Sequence, residues 1–340
     1  MKTLSVCLIV IALLVTLLTV VSCGESTATT TAAVTTDAAT TPAATTPAST
    51  TPATVVTTEA PVTTTEAPAT TTAVITTETP VTTTEAKKPD PVMTPVDKTI
   101  NVKNATEAKI FAASNGLDLP YRIYVPADYS EEYAYPLVLV LHGAGERGTD
   151  NASQLSNLVP NLFNKKDSPF YHSIVIFPQC PTDEQWVNTP WSSGSYLLKR
   201  TPISQPLQAA VELLDYVIDN YSINTDRQYV TGLSMGGFGT WDLLMRYPDR
   251  FAAAIPYCGA ADPKQAANLV NIPIWTFHDT TDGIVPAKGT QDIVKAIKEA
   301  GGTLITYTET AQYGHDVWTP GSKTEGLFDW LFAQRKDSAQ

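Results

Sequence analysis

The chain has 340 residues, with 22 Lys and Arg against 34 Asp and Glu, a formal net charge of −12. That balance offers no basic patch, so a nucleic-acid partner is not expected. Composition divides the chain into three unlike pieces, and only residues 91–340 hold enough apolar sequence to build a core, that of one ordinary α/β domain.

Residues 1–22 read as an export signal. Lys2 is a minimal basic start, and Val6–Val21 is an apolar run broken only by Cys7, Thr16 and Thr19. Such a run is short for a membrane-spanning helix, which needs about 20 residues, and suits a signal peptide. It ends in Val20-Val21-Ser22-Cys23-Gly24, which resembles a bacterial lipobox: a branched apolar residue, a small residue, then Cys. Cleavage after Ser22 and lipidation of the Cys23 thiol are therefore expected. The domain would then sit on the extracellular face of the cell membrane, held only by its lipid, or be secreted if the lipobox is not used.

Residues 23–90 read as a linker. Within 27–86 there are 27 Thr, 14 Ala and 6 Pro, which leaves too little hydrophobic sequence to collapse. A disordered tether is expected, lifting the following domain away from its anchor.

From there strand-length apolar runs alternate with helix-period segments. Leu119–Pro126, Pro136–His142 and Ser173–Pro178 read as strands, the second so continuously apolar that both its faces should be buried. Leu207, Ala210, Val211, Leu214, Ile218 and Tyr221 recur at three and four, marking an amphipathic helix with Pro206 in its first turn. Strands follow at Tyr229–Leu233, Phe251–Tyr257, Pro273–His278 and Thr303–Thr308. Helices are expected over Phe238–Tyr247, around Thr290–Ile297 up to the Gly301-Gly302 stop, and over Leu327–Phe332. This alternation implies a mostly parallel sheet with helices on both faces.

Gly232-Leu233-Ser234-Met235-Gly236 fits G-x-S-x-G between a predicted strand and a predicted helix, making Ser234 the candidate nucleophile. A Ser needs a base. Of the four histidines, His142 and His172 precede Ser234, and His278 belongs to a strand end. In the chain order Ser, acid, His, the base is His315, in the loop after the last strand. Asp262, Asp279, Asp282 and Asp292 lie between them. Asp292 falls in a helix and Asp262 one strand early, so Asp282 is the candidate acid, with Asp279 second. The tetrahedral oxyanion needs backbone donors. These should be the Met235 amide and one from His142–Gly148, with Ala144 favoured over Gly143 and Gly145, while His142 orders the loop.

LHGAGERG, FPQCP followed by Trp186, GLSMGGFGTWDLLMRYPDRF, FHDTTDGIVP and GHDVW occur in this order. Over about residues 100–335 they resemble the α/β-hydrolase esterases of the feruloyl and acetyl-xylan type and their kin among predicted peptidases and phospholipase/carboxylesterase-like proteins. The resemblance implies Ser234, Asp282 and His315 as a catalytic triad, with Ala144 and Met235 as oxyanion hole. Where relatives usually have Gly after the His of the acid loop, this chain has Asp279. The resemblance also places Cys180 and Cys258 at strand ends three steps apart. At about 4.8 Å per step that exceeds the span of a disulfide, so two free buried thiols are expected.

Trp186 and Trp191, in a long insertion with Tyr196, and Trp318, beyond His315, are candidate stacking surfaces for a sugar or phenolic ring. Trp241 and Trp330 fit helix cores. The sequence suggests no metal cluster, and no cofactor is implied. The leading reading is a serine esterase acting on ester groups of plant cell-wall polysaccharide. A serine peptidase for short peptides and a non-catalytic wall-binding lipoprotein are the alternatives.

Overall fold

The computed structural model describes residues 87–336, except 95, 97 and 98. The expected signal peptide, Cys23 and the Thr-rich tract lie outside the described residues. Among the described residues no helix is long and apolar enough to cross a membrane.

Eight strands form one sheet: β1 (Thr106–Ala112), β2 (Asp118–Tyr124), β3 (Tyr135–Leu141), β4 (Ile174–Pro178), β5 (Ile223–Leu233), β6 (Ala253–Tyr257), β7 (Ile274–Asp279) and β8 (Ile305–Thr310). Their order is β1-β2-β4-β3-β5-β6-β7-β8. β2 is antiparallel to both its neighbours, and every pairing from β4 to β8 is parallel. The main helices are α1 (Gln205–Asn220), α2 (Met235–Arg246), α3 (Lys288–Glu299) and α4 (Leu327–Ala333). This is the mostly parallel, helix-covered sheet of the α/β-hydrolase architecture that the sequence implies.

The continuous apolar runs lie at its centre because both faces are covered. All seven residues of β3 are buried. Leu137, Leu139 and Leu141 belong to the core cluster that includes side chains of α1, α2 and α3, whereas Val138 and Val140 belong to a second cluster with 158–171 and α4. Helix α1 starts where the Ser204 hydroxyl accepts the Leu207 amide at 3.2 Å, and Pro206 needs no amide partner in its first turn. It buries Leu207, Ala210, Val211, Leu214 and Val217. Fully burying a side chain the size of Leu or Val stabilises by about 1.5–3 kcal/mol.

Most bounds move by one to three residues, and three differences from the sequence pattern have a clear cause. β1 is an edge strand in which only Thr106 is buried, so its hydrophobic alternation is too weak to mark it. β5 begins at Ile223, six residues early, with polar residues that extend beyond the core. β8 runs two residues later than its apolar run, because Glu309 and Thr310 continue pairing with His278 and Asp279. The end of the linker is also held to the domain. Pro89 O accepts the Ala134 amide at 2.9 Å, and Asp90 meets Asn224, Arg227 and Arg335. Burial tends to raise the Asp90 pKa, but these donors and cations outweigh it and hold the carboxyl below its ordinary range. Cys180 and Cys258 follow β4 and β6, three steps apart, and are buried, free thiols.

Candidate active site

Ser234 sits between β5 and α2 at φ 54° and ψ −117°, a backbone conformation costly for a residue with a side chain. The sheet holds it there: the Ser234 amide donates to Tyr257 O at 3.0 Å. The flanking glycines are required by crowding. A methyl on Gly236 would overlap the carbonyl of Leu141, and one on Gly237 the carbonyl of Tyr257. The turn can therefore bring α2 against β3 and β6 only if neither residue carries a Cβ.

His315 and Asp282 arrive on loops after β8 and β7. His315 Nε2 lies 2.9 Å from Ser234 Oγ, and His315 Nδ1 lies 2.8 Å from Asp282 Oδ2. A carboxylate only accepts, so Nδ1 carries the proton and Nε2 is left to accept from the Ser234 hydroxyl. The His315 side chain is 23% exposed and that of Asp282 0%. Burial tends to raise the Asp282 pKa. Hydrogen bonds from His278, His315 and the amides of Val285 and Ile284 outweigh it and hold the carboxyl well below the ordinary range.

Asp279 is not placed to orient His315. Its Oδ2 accepts Thr310 Oγ1 at 2.7 Å and the amides of Gln312 and Tyr313 at 2.9 Å each. Its Oδ1 accepts the Thr281 amide and hydroxyl. Asp279 thus ties the acid loop to the loop that carries His315.

The oxyanion donors narrow by the same accounting. The Gly143 amide already donates to Glu146 Oε2 at 2.7 Å, so it is committed. Ala144 opens a 3₁₀ turn and Met235 opens α2, positions where amides have no partner within their own helix. Glu146 is buried and also accepts Asn157 Nδ2 at 2.5 Å, and burial raises its pKa. His142 donates from Nδ1 to Gly143 O at 2.7 Å and accepts the Cys180 amide at Nε2 at 2.9 Å. Burial pushes its pKa down to about 4, which suits this neutral ring. His142 accordingly braces the loop.

The aromatic expectations divide. Trp186 is 0% exposed, and its Nε1 donates to His142 O at 3.0 Å while its ring meets the His142 ring edge-on. It cannot present a face to substrate, so the stacking role expected of it is corrected to a support under the oxyanion loop. Tyr196 is likewise buried, bonded to Asp242 at 2.8 Å. Trp191 is half-buried with the Arg147 guanidinium 5.8 Å from its ring, and Arg147 also donates to Ala144 O. Trp318 is half-buried, its ring 5.5 Å from that of His315 and at 86° to it. Trp241 lies in one core cluster, and Trp330 packs, partly buried, against the other.

Two features were not legible. Cys258, Asp282 and His315 bring possible ligand atoms within 4.8 Å of one another, a cluster no sequence spacing announces, although Asp282 and His315 are already paired. His278, set aside as a strand residue, reaches Asp282.

The profile of the Esterase family matches residues 113–300. A crystal structure of a thermostable esterase is 34% identical with a TM-score of 0.62, covering 69% of this chain and 64% of that one. Acetylxylan esterase A of Emericella nidulans is 32% identical over 89 residues, 26% of this chain and 28% of that protein. Feruloyl esterase B of Talaromyces funiculosus is 29% identical over 168 residues, 46% of this chain and 44% of that protein. The chain spans less than half the length of both curated relatives.

Proposed function

The chain belongs to the Esterase family, and from that premise we propose that it is a serine carboxylic ester hydrolase acting on acyl groups of plant cell-wall carbohydrate. The observation that carries this reading is the line of hydrogen bonds from Ser234 through His315 to Asp282, beside the first-turn amides of Ala144 and Met235.

In the proposed cycle, His315 Nε2 takes the Ser234 hydroxyl proton as Oγ attacks the ester carbonyl. Asp282 stabilises the imidazolium without itself being protonated. The Ala144 and Met235 amides receive the developing oxyanion. His315 then gives its proton to the leaving alcohol, and water repeats the sequence on the acyl-enzyme.

The acetylxylan and feruloyl esterase names of the two curated relatives support an ester on carbohydrate. Half-buried Trp191 and Trp318 favour a flat substituent, a sugar or a cinnamoyl ring, over a flexible chain. The apolar start and Val20–Gly24 support export and a lipid on Cys23, which puts the domain on the extracellular face. A Cys23→Ser variant should leave the membrane fraction with its specific activity unchanged.

A panel of acetylated xylan, methyl ferulate, a twelve-carbon acyl ester and an aminoacyl anilide tests the substrate. Turnover of the first or second well above the others is expected. Preference for the long-chain ester or the anilide over every other substrate would overturn the reading.

A further inference from the structure

The proposed cycle gives no part to the buried His278 beside Asp282. His278 is the fifth residue of β7, 0% exposed, and it reaches the same Asp282 oxygen as His315. Its ring has three polar neighbours. Nδ1 is 2.7 Å from Thr290 Oγ1. Nε2 is 3.0 Å from Val285 O and 3.3 Å from Asp282 Oδ2.

Both neighbours of Nε2 are acceptors only, so Nε2 must carry a proton. The Thr290 hydroxyl lies between Nδ1 and Gly259 O, at 2.8 Å from the latter, and has a single proton to give. Whichever of the two it serves, Nε2 keeps its proton, which bonds Val285 O and faces Asp282 Oδ2. Asp282 Oδ1 takes the Ile284 and Val285 amides and Oδ2 takes His315, with the His278 Nε2–H group, which bonds Val285 O, 3.3 Å from Oδ2 as its second positive neighbour. Without His278, Oδ2 keeps only the bond from His315, itself on a loop, and Val285 O loses its tie to β7.

We propose that His278 is a positioning residue that acts through Asp282: its Nε2–H, set between Val285 O and Asp282 Oδ2, holds the loop and its carboxylate in the orientation that receives His315 Nδ1–H. The geometry suits this task. His278 belongs to a sheet strand and is tied through Thr290 to α3 and to Gly259 after β6, so it carries the rigidity of the fold to the one carboxylate held on a loop. Displacing a catalytic group by about 1 Å costs on the order of 10²-fold in rate. The proposal rests on the reading of Ser234, His315 and Asp282 as the catalytic line.

The test is a set of variants assayed on 4-nitrophenyl acetate, with unfolding midpoints measured in parallel. His278→Leu should lower kcat by about 10- to 100-fold with KM within about 2-fold. His278→Gln, whose amide nitrogen reaches the place of Nε2, should recover most of the loss. His278→Asn, whose amide reaches only the place of Nδ1, should not, and this pair carries the test if the leucine variant does not fold. In an Asp282→Asn background, His278→Leu should cost less than about 2-fold more, because a residue acting through Asp282 has nothing left to act on. An undiminished kcat in His278→Leu, a full additional loss in the Asp282→Asn background, or Asn rescuing better than Gln would each overturn the proposal. Ser234→Ala separates the two failures: if that variant stays active, the catalytic reading itself is wrong, and if it is inactive, those results count against His278 alone.

Discussion

The two sides of the site are built by different means. On the nucleophile side, backbone presses on backbone: Gly236 lies against Leu141 and Gly237 against Tyr257, and the Ser234 amide is bonded to β6. On the histidine side, side chains reach across loops: Asp279 gathers the amides of Gln312 and Tyr313, and Asp282 gathers His315, Ile284 and Val285. Crowding leaves a trace in sequence, since only glycine fits. A carboxylate network leaves almost none, since its partners are mostly amides that any residue supplies.

The largest expected effect removes the reacting atom. Ser234→Ala should lose on the order of 10⁴ to 10⁶ in kcat on a small acyl ester while keeping its unfolding midpoint. A variant with a tenth of wild-type turnover would place the nucleophile elsewhere. Next comes a comparison within the histidine side. Asp282→Asn should cost about 10⁴ in kcat, because the amide no longer fixes the His315 tautomer. Asp279→Asn should cost less than about tenfold in kcat, but about 1–3 kcal/mol in stability, since a buried carboxylate gives up one of the two oxygens that gather five part-buried donors. Steady-state kinetics and urea unfolding on both variants decide this. Were Asp279→Asn the worse enzyme, the acid would be misassigned.

A single methyl group sharpens the contrast between the sides. Gly236→Ala should destabilise by about 3 kcal/mol, at the upper end of overpacking, because the obstacle is the carbonyl of Leu141 and the backbone cannot step aside. Gly283→Ala, in the acid loop, meets nothing within 4 Å and should lie within about 1 kcal/mol of wild type in urea unfolding. Equal losses at the two glycines would mean that the acid loop is packed as tightly as the nucleophile turn.

The same contrast explains what the sequence made legible. The central strands could be read because burial on both faces demands unbroken apolar runs, as in β3. The turn around Ser234 could be read because its glycines are spaced by crowding. β1 could not, because an edge strand answers to one neighbour and little core. Nor could the roles of Asp279, Glu146 and His278, each set by partners on other elements. Trp186 was misjudged for a related reason: an aromatic residue in an irregular insertion has no periodicity to tell inside from outside. Its indole N–H meets a backbone carbonyl 44 residues away.

The contrast between Trp186 and Trp318 frames the smallest kinetic effect. Trp186 and Trp318 are both aromatic neighbours of site histidines, yet one is sealed beneath the oxyanion loop and the other is half-open beside His315. Trp186→Ala should act as a core truncation, costing about 3–5 kcal/mol in stability. Whatever activity it loses should be shared by all substrates. Trp318→Ala should leave stability nearer to wild type and act on KM for a flat substrate. An aromatic contact is worth about 0.5–1.5 kcal/mol, or about 2- to 13-fold in KM. Its kcat should change less, because Asp282 and Ser234 still hold His315 on both nitrogens. The discriminating measurement is KM for methyl ferulate against KM for a small aliphatic acetate ester in each variant. The Trp318 variant should lose selectivity for the ferulate, and the Trp186 variant should not. A ferulate-specific loss in Trp186→Ala, with stability intact, would mean that the insertion carrying it opens to substrate after all.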